Sequence, residues 1–225
     1  MINKVFDRMD LWRHLPNYQL ERRADLFFSL YLPEVLKSKL GIEINPVIIP
    51  EFPVRIGTIY PNIPIDKSYK IDYVCFSQDT KKVLFVELKT ESMSRREAQD
   101  KYLSASCKVG FASLVEGLIK IFKVTSSKRK YFNLLNLLLQ AGFIEIPEQM
   151  FLKIQKNNLH GINALADRIK ILDCPNESEI VYVQPVGTGT DIISFDEFKT
   201  IINQYDDPVS KRFAQSLSEW GRTKA

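Results

Sequence analysis

Two carboxylates and one ammonium group lie within apolar segments that the sequence predicts to be neighbouring β-strands. Asp72 lies in the segment KIDYVCF, and Glu87 and Lys89 lie in the segment VLFVELKT. Both segments are rich in β-branched and aromatic residues, and the polar residues 78–81 between them are typical of a hairpin turn. A turn centred in the middle of residues 78–81 would place Asp72 directly across from Glu87.

Side chains alternate along a strand, so Glu87 and Lys89 share one face of theirs. Opposed side chains of antiparallel strands have Cβ atoms about 4.5–5.5 Å apart, which predicts that Asp72 joins them. Opposed carboxylates destabilise a strand pair unless a cation compensates, and carboxylate oxygens suit Mg²⁺ or Mn²⁺. A neighbouring lysine can orient or activate water, or stabilise charge on a phosphate. The three residues therefore suit metal-dependent phosphodiester hydrolysis.

An ordinary salt bridge at the end of a hairpin is the alternative interpretation of these residues. Glu-x-Lys occurs by chance in many strands, and Lys89 could simply neutralise one acid. The upstream Asp72 in register favours a functional site. The apolar neighbours of these residues, among them Val74, Leu84 and Phe85, predict that both faces of the sheet are covered.

An acid on one strand followed by acid-x-Lys on the next resembles the PD-(D/E)xK nuclease superfamily, here with Asp72, Glu87 and Lys89. The family usually has a proline before the first acid, where this chain has Ile71. The resemblance implies a restriction-endonuclease-like α/β core, in which helices flank a central mixed β-sheet. It also implies a Mg²⁺- or Mn²⁺-dependent nuclease that acts on DNA in preference to RNA. Asp72, Glu87 and the carbonyl of Leu88 would bind metal, and Lys89 would position or activate water.

A helix before the strands extends the resemblance. Apolar residues recur there at helical spacing, and Gly41 predicts the end of the helix. Glu21 lies on the flank of the apolar stripe and would be the further metal-binding acid that the family often carries on this helix. The alternative for Glu21 is a solvated acid that pairs with arginine.

A second helix is predicted after Lys89, because Ser94 and Glu97 match a capping box. The helix would begin near residue 95 and continue to about residue 123. It carries Gln99 and Tyr102, which resemble the Gln and Tyr of the RecB-like branch at a spacing one residue shorter. We therefore expect Gln99 to contact the active site or a substrate phosphate.

Arg95 and Arg96 would lie in the first turn of that helix, where the macrodipole disfavours cations. Contact with a nucleic-acid phosphate would explain their placement. The alternative is plain surface exposure, because each arginine would lose only about 0.3–1 kcal/mol there.

Composition sets wider bounds on the function. The 225 residues are 45% hydrophobic and 26% charged, which is ordinary for one domain spanning residues 1–225. A net charge of +4 permits nucleic-acid binding without requiring it. Three scattered cysteines argue against a disulfide framework or a zinc site, and two histidines exclude a multi-histidine metal centre. We find no signal peptide or membrane span and expect a cytoplasmic protein.

Nucleic acid is therefore the expected partner, with DNA preferred and no membrane partner. A double-strand cut usually needs two active sites, so a homodimer or a protein partner would also fit this function. A different class of function stays open: a non-catalytic module with a nuclease fold that binds nucleic acid or assembles with proteins.

The rest of the chain is organised around the predicted strands. Prolines within residues 42–60 predict an edge strand beside the Asp72 strand. Residues 94–172 are predicted to be mainly helical, and residues 125–175 would form a helical insertion before the strand IVYVQPV. The insertion could help select the substrate or could be structural elaboration.

Overall fold

The computed structural model describes residues 1–63, 65–91 and 95–222. Its strands are β1 (Ile49–Arg55), β2 (Ser68–Phe76), β3 (Lys82–Leu88), β4 (Ile144–Glu145), β5 (Lys170–Ile171), β6 (Glu177–Gln184) and β7 (Ile192–Ser194). One sheet has the order β1-β2-β3-β6-β7, and β4 and β5 form a separate antiparallel pair. Within the sheet, β1 and β2 run antiparallel and β6 and β7 run parallel. The predicted mixed central sheet is confirmed.

Helices precede, separate and follow these strands along the chain. They are α1 (Ile2–Trp12), α2 (Glu21–Leu40), α3 (Ile56–Ile59), α4 (Glu97–Val109), α5 (Phe111–Val124), α6 (Lys128–Gln140), α7 (Glu148–Gln155), α8 (Ile162–Ala166), α9 (Phe195–Ile202) and α10 (Pro208–Arg222). The α/β class is confirmed. Within the described ranges, no helix is long and apolar enough to cross a membrane.

The chain forms two compact units. Unit 1 comprises Met1–Ile44, Val86–Gln99 and Ile180–Ala225, and unit 2 comprises Asn45–Phe85 and Asp100–Glu179. Each unit combines segments that are distant in the sequence, so neither corresponds to one continuous stretch of chain. Residues 125–175, the predicted insertion, contribute α6, α7, α8, β4 and β5 to unit 2.

The hairpin between β2 and β3 forms where the sequence predicts it. Ser77 N donates to Lys82 O at 2.9 Å, which pairs the two residues that flank the predicted turn symmetrically. Thr80, within the turn, has φ of 58°. The apolar residues of both strands are buried on both faces, as predicted: Ile71, Tyr73, Val74, Cys75, Phe76, Val83, Leu84, Phe85, Val86 and Leu88.

The strand β1 lies at the edge of the sheet beside β2, as its prolines predict. Pro50 pairs with Tyr73 and Phe52 pairs with Ile71. These two pairs place Glu51 across from Asp72 within unit 2.

Aromatic rings form the core between the helices of unit 1. Phe213 of α10 has six other rings within 6.3 Å, measured between centroids: Phe6, Phe27, Phe28, Tyr31, Phe198 and Trp220. Phe213, Leu217 and Trp220 of α10 are all buried.

The helix α1 was not predicted from the sequence, and side chains of α10 contact it. Asp10 of α1 accepts hydrogen bonds from Arg212 at 2.5 Å and from Trp220 Nε1 at 2.8 Å. Phe6 and Met9 are buried. These contacts join residues about two hundred positions apart, and no local pattern predicts them.

The helix after β3 begins at Glu97, close to the predicted start near residue 95. Arg95 and Arg96 therefore lie directly before its first turn and not within it, still at the positive end of the macrodipole. The predicted continuation to residue 123 is wrong, because Gly110, with φ of 79°, separates α4 from α5. Ser94, the other half of the predicted capping box, lies outside the described residues.

The end of α2 provides a stability prediction. Gly41 ends the helix, as predicted, with φ of 69°, and a Cβ there would meet no atom within 4 Å. Replacing Gly41 with alanine should therefore lower the free energy of unfolding by only about 1 kcal/mol, the cost of a Cβ in the left-handed backbone conformation. Asparagine should cost less, because it tolerates that conformation. Urea denaturation measures both, and an alanine variant as stable as the native protein would contradict the prediction.

Candidate functional site

A buried carboxylate with two donors lies on β3 in unit 1. The Glu87 side chain is fully buried, and the Lys89 side chain is 6% exposed. Lys89 Nζ lies 3.2 Å from Glu87 Oε2, and Gln99 Nε2 donates to the same oxygen. We call these three residues the Glu87 cluster. Two donors on one oxygen offset the cost of removing the carboxylate from water and fix its orientation.

Backbone pairing and the helix α4 position the Glu87 cluster. Glu87 and Lys89 share a face because they are two residues apart on one extended segment. Lys89 N donates to Val183 O of β6 at 2.8 Å, which continues the pairing just beyond the end of β3. Gln99 reaches the cluster from the first turn of α4. The expected contact of Gln99 with a residue of the predicted site is therefore present.

An arginine lies over an aromatic ring of β6, the strand whose Val183 pairs with Lys89. The guanidinium carbon of Arg95 lies 3.9 Å from the ring centroid of Tyr182, which is buried on β6 directly before Val183. A guanidinium stacked on a ring keeps its N–H groups in the plane, where they can meet an anion. Arg96 is exposed. Tyr182 was not among the residues predicted for the site, because its only signal was an aromatic residue in a predicted strand.

Asp72 lies half-buried on β2 in unit 2. Across from it on β1, Glu51 forms an ion pair with Lys70, and both side chains are at least half exposed. Glu51 was also not predicted to lie near Asp72, because its place depends on the pairing of β1 with β2. The position of Asp72 opposite Glu87 stays a prediction from the hairpin register.

Tyr102 supports the strand that carries Asp72. Its hydroxyl donates to the carbonyl of Lys70 at 2.7 Å, and its ring is stacked on Tyr69 with 4.6 Å between centroids and 3° between planes. Both contacts lie within unit 2. Tyr102 therefore has a positioning role on β2.

The remaining predicted metal ligands lie apart in the chain. Glu21 is the first residue of α2 and is half-buried, and Leu88 is buried at the end of β3. Among the described residues, no three His, Cys, Asp or Glu side chains are grouped so that they could hold a metal ion. The oxygen donors proposed here still fit Mg²⁺, because that ion needs only one or two protein carboxylates and keeps several waters.

Comparisons of the chain with protein-family models, with curated proteins and with solved structures each find no match. The functional interpretation therefore depends on the residues of the chain itself.

Proposed function

We propose that this protein is a Mg²⁺- or Mn²⁺-dependent nuclease of the PD-(D/E)xK type, built on a restriction-endonuclease-like core. It would hydrolyse phosphodiester bonds of DNA in preference to RNA, in the cytoplasm. The observation that carries the proposal is the fully buried carboxylate of Glu87, held by the buried ammonium of Lys89 and by Gln99. Burying both charges is expensive, and apolar residues would fill the same space at no such cost. A functional role explains why the pair is present.

Each residue of the proposed site has a distinct role. Asp72, Glu87 and the carbonyl of Leu88 would hold the metal ion. Glu21 would act through the waters of that ion, because no three acidic side chains of the described residues are grouped to hold it directly. When bound, the ion would polarise the phosphate and lower the pKa of a bound water. Lys89 would orient or deprotonate the attacking water, or stabilise charge on the phosphate.

Three further residues would support the site. Gln99 would keep the Glu87 carboxylate in its orientation. Arg95, stacked on Tyr182, would donate in-plane N–H groups to a substrate phosphate. Arg96 would add positive charge at the same end of α4.

The direct test is cleavage of supercoiled plasmid and of short single- and double-stranded DNA and RNA. Each substrate is incubated with Mg²⁺ or Mn²⁺, with EDTA as the control, for the native protein and for Asp72→Asn. We expect metal-dependent cutting of DNA that Asp72→Asn loses. Cutting that persists in EDTA or in Asp72→Asn would overturn the proposal.

Metal-linked thermal stability separates the nuclease from a non-catalytic module. A ligand that binds only the folded state stabilises it by about 2.7 kcal/mol at one hundred times its Kd. We therefore expect Mn²⁺ to raise the melting temperature of the native protein and to raise that of Asp72→Asn much less. A melting temperature that does not respond to either metal would favour the module.

Gln99 provides a graded prediction. Replacing Gln99 with leucine removes one of the two donors on Glu87 Oε2 but leaves Lys89 in place. We expect cleavage to fall about tenfold, the effect of losing one hydrogen bond of about 1.4 kcal/mol to a charged group. Gln140→Leu, a change at an exposed glutamine of α6, serves as the matched control. Equal rates for both variants would remove Gln99 from the site.

A further inference from the structure

Positive charge exceeds negative charge in one segment of the chain. Residues 123–173 contain eight lysine and arginine residues and four aspartate and glutamate residues, a net charge of +4. The whole chain also has a net charge of +4. The rest of the sequence is therefore balanced in net charge, so the excess positive charge of the chain lies in this segment of unit 2.

Four of the eight cations in this segment have partners within unit 2. Lys123 pairs with Asp167 at 2.5 Å, and Lys170 pairs with Glu145 at 2.8 Å. Two more donate to backbone carbonyls: Lys128 to Phe122 and Lys123, and Lys153 to His160. These four side chains support the local structure.

The other four cations are exposed: Arg129, Lys130, Lys156 and Arg168. Across the ranges that the structure describes, none of them has a carboxylate oxygen within 4.0 Å. Arg168 makes one long hydrogen bond, at 3.5 Å, to the side chain of Gln149. Their charge is thus available to a ligand.

Two short helices follow the basic start of α6. The helices α7 and α8 are joined by residues 156–161, and Gly161 has φ of 69° at the start of α8. The helix α8 buries Ile162 and Ala166 and exposes Ala164, and Arg168 follows it as an exposed residue.

Hydrogen bonds anchor α8 to the junction of α5 and α6. Lys128 Nζ donates to Asn163 Oδ1 at 3.0 Å, and Asn163 Nδ2 donates to Lys123 O at 2.9 Å. The exposed face of α8 is therefore held next to the start of α6, where Arg129 and Lys130 lie. The antiparallel pair of β4 and β5 brackets α7 and α8 in the chain.

We propose that residues 128–173 form a binding element for duplex DNA. Arg129, Lys130, Lys156 and Arg168 would neutralise phosphates of the duplex. A duplex presents phosphates at fixed spacing, which suits several separate cations that have no carboxylate partner among the described residues and lie on or next to helices tied together by hydrogen bonds. The inference rests on the proposed function in that it names duplex DNA as the substrate of the nuclease.

The test measures binding without cleavage. Fluorescence anisotropy of a labelled DNA duplex is recorded in EDTA over a range of salt concentrations, with the full chain. The variant is Arg129→Ala/Lys130→Ala/Lys156→Ala. The matched control is Lys4→Ala/Lys108→Ala/Arg222→Ala, which removes the same charge outside residues 123–173. Thermal melts confirm that both variants are folded.

We expect the variant to lose at least about tenfold in affinity and its salt slope to fall by about 0.9 for each phosphate contact removed, while the control changes much less. Any of three results would overturn the inference: equal losses of affinity in the variant and the control, no duplex binding by the native protein, or equal binding of single strands and duplex. The two proposals can fail separately. If the native protein cuts DNA but the variant binds the duplex normally, the nuclease proposal stands and the DNA-binding element fails. If the variant loses binding but the native protein cuts nothing, the DNA-binding element stands and the nuclease proposal fails.

Discussion

Replacing Lys89 with alanine is expected to lower metal-dependent DNA cleavage by at least about 100-fold, the lower end of the contribution of a positioned acid or base. Lys89 is buried and lies 3.2 Å from the carboxylate of Glu87, so no solvent-exposed lysine can replace its ammonium group. The measurement is the initial rate of plasmid cleavage under saturating Mg²⁺ or Mn²⁺.

Two further variants make the Lys89 result specific. Lys89→Met keeps most of the aliphatic volume and removes only the charge, so it should lose cleavage as the alanine variant does. Lys82→Ala changes a more exposed lysine at the other end of β3, which pairs with Glu179 at 3.0 Å, and should retain cleavage. Circular dichroism and thermal melts verify that all three variants fold. Native-like cleavage by Lys89→Met would remove Lys89 from the mechanism.

Replacing Phe213 with alanine should lower the free energy of unfolding by about 4 kcal/mol, within the range for large-to-small changes at buried aromatic residues. Phe213 is fully buried and is near six other rings from α1, α2, α9 and α10. Its removal would leave a cavity that four helices cannot all close, because each is held by other contacts. Urea denaturation, monitored by circular dichroism, gives the change.

Phe151→Ala is the matched control for Phe213→Ala. Phe151 of α7 is half-buried and has one ring neighbour, Phe132, at 5.0 Å. It should cost clearly less than Phe213→Ala. Equal effects for the two variants would contradict the prediction, because Phe213 is the more deeply buried ring and has more ring neighbours.

Several elements could be predicted from the sequence because their causes are local. The turn at residues 78–81 is polar between two apolar strands, and Ser77 pairs with Lys82 as a symmetric turn requires. Gly41 ends α2 because glycine adopts the left-handed conformation without strain. Strand alternation places Glu87 and Lys89 on one face, and their side chains are in contact.

Other features could not be predicted, because distant residues cause them. The sequence suggests one helix to residue 123, but Gly110 divides it, and helical periodicity alone does not show such a break. Arg95 precedes α4 and lies on the ring of Tyr182, which is 87 positions further along the chain.

The sequence by itself determined the strands and the side-chain alternation of the candidate site, because strand period, turn composition and glycine conformation act over a few residues. It also supplied the chemistry of the site, two acids and a lysine on adjacent strands. Only the tertiary structure decided that Gln99 reaches Glu87, that Tyr182 supports Arg95, and that α1 packs on α10. The physical reason is that these contacts depend on how side chains from separate elements fill a shared core, and no periodicity within one element encodes that arrangement.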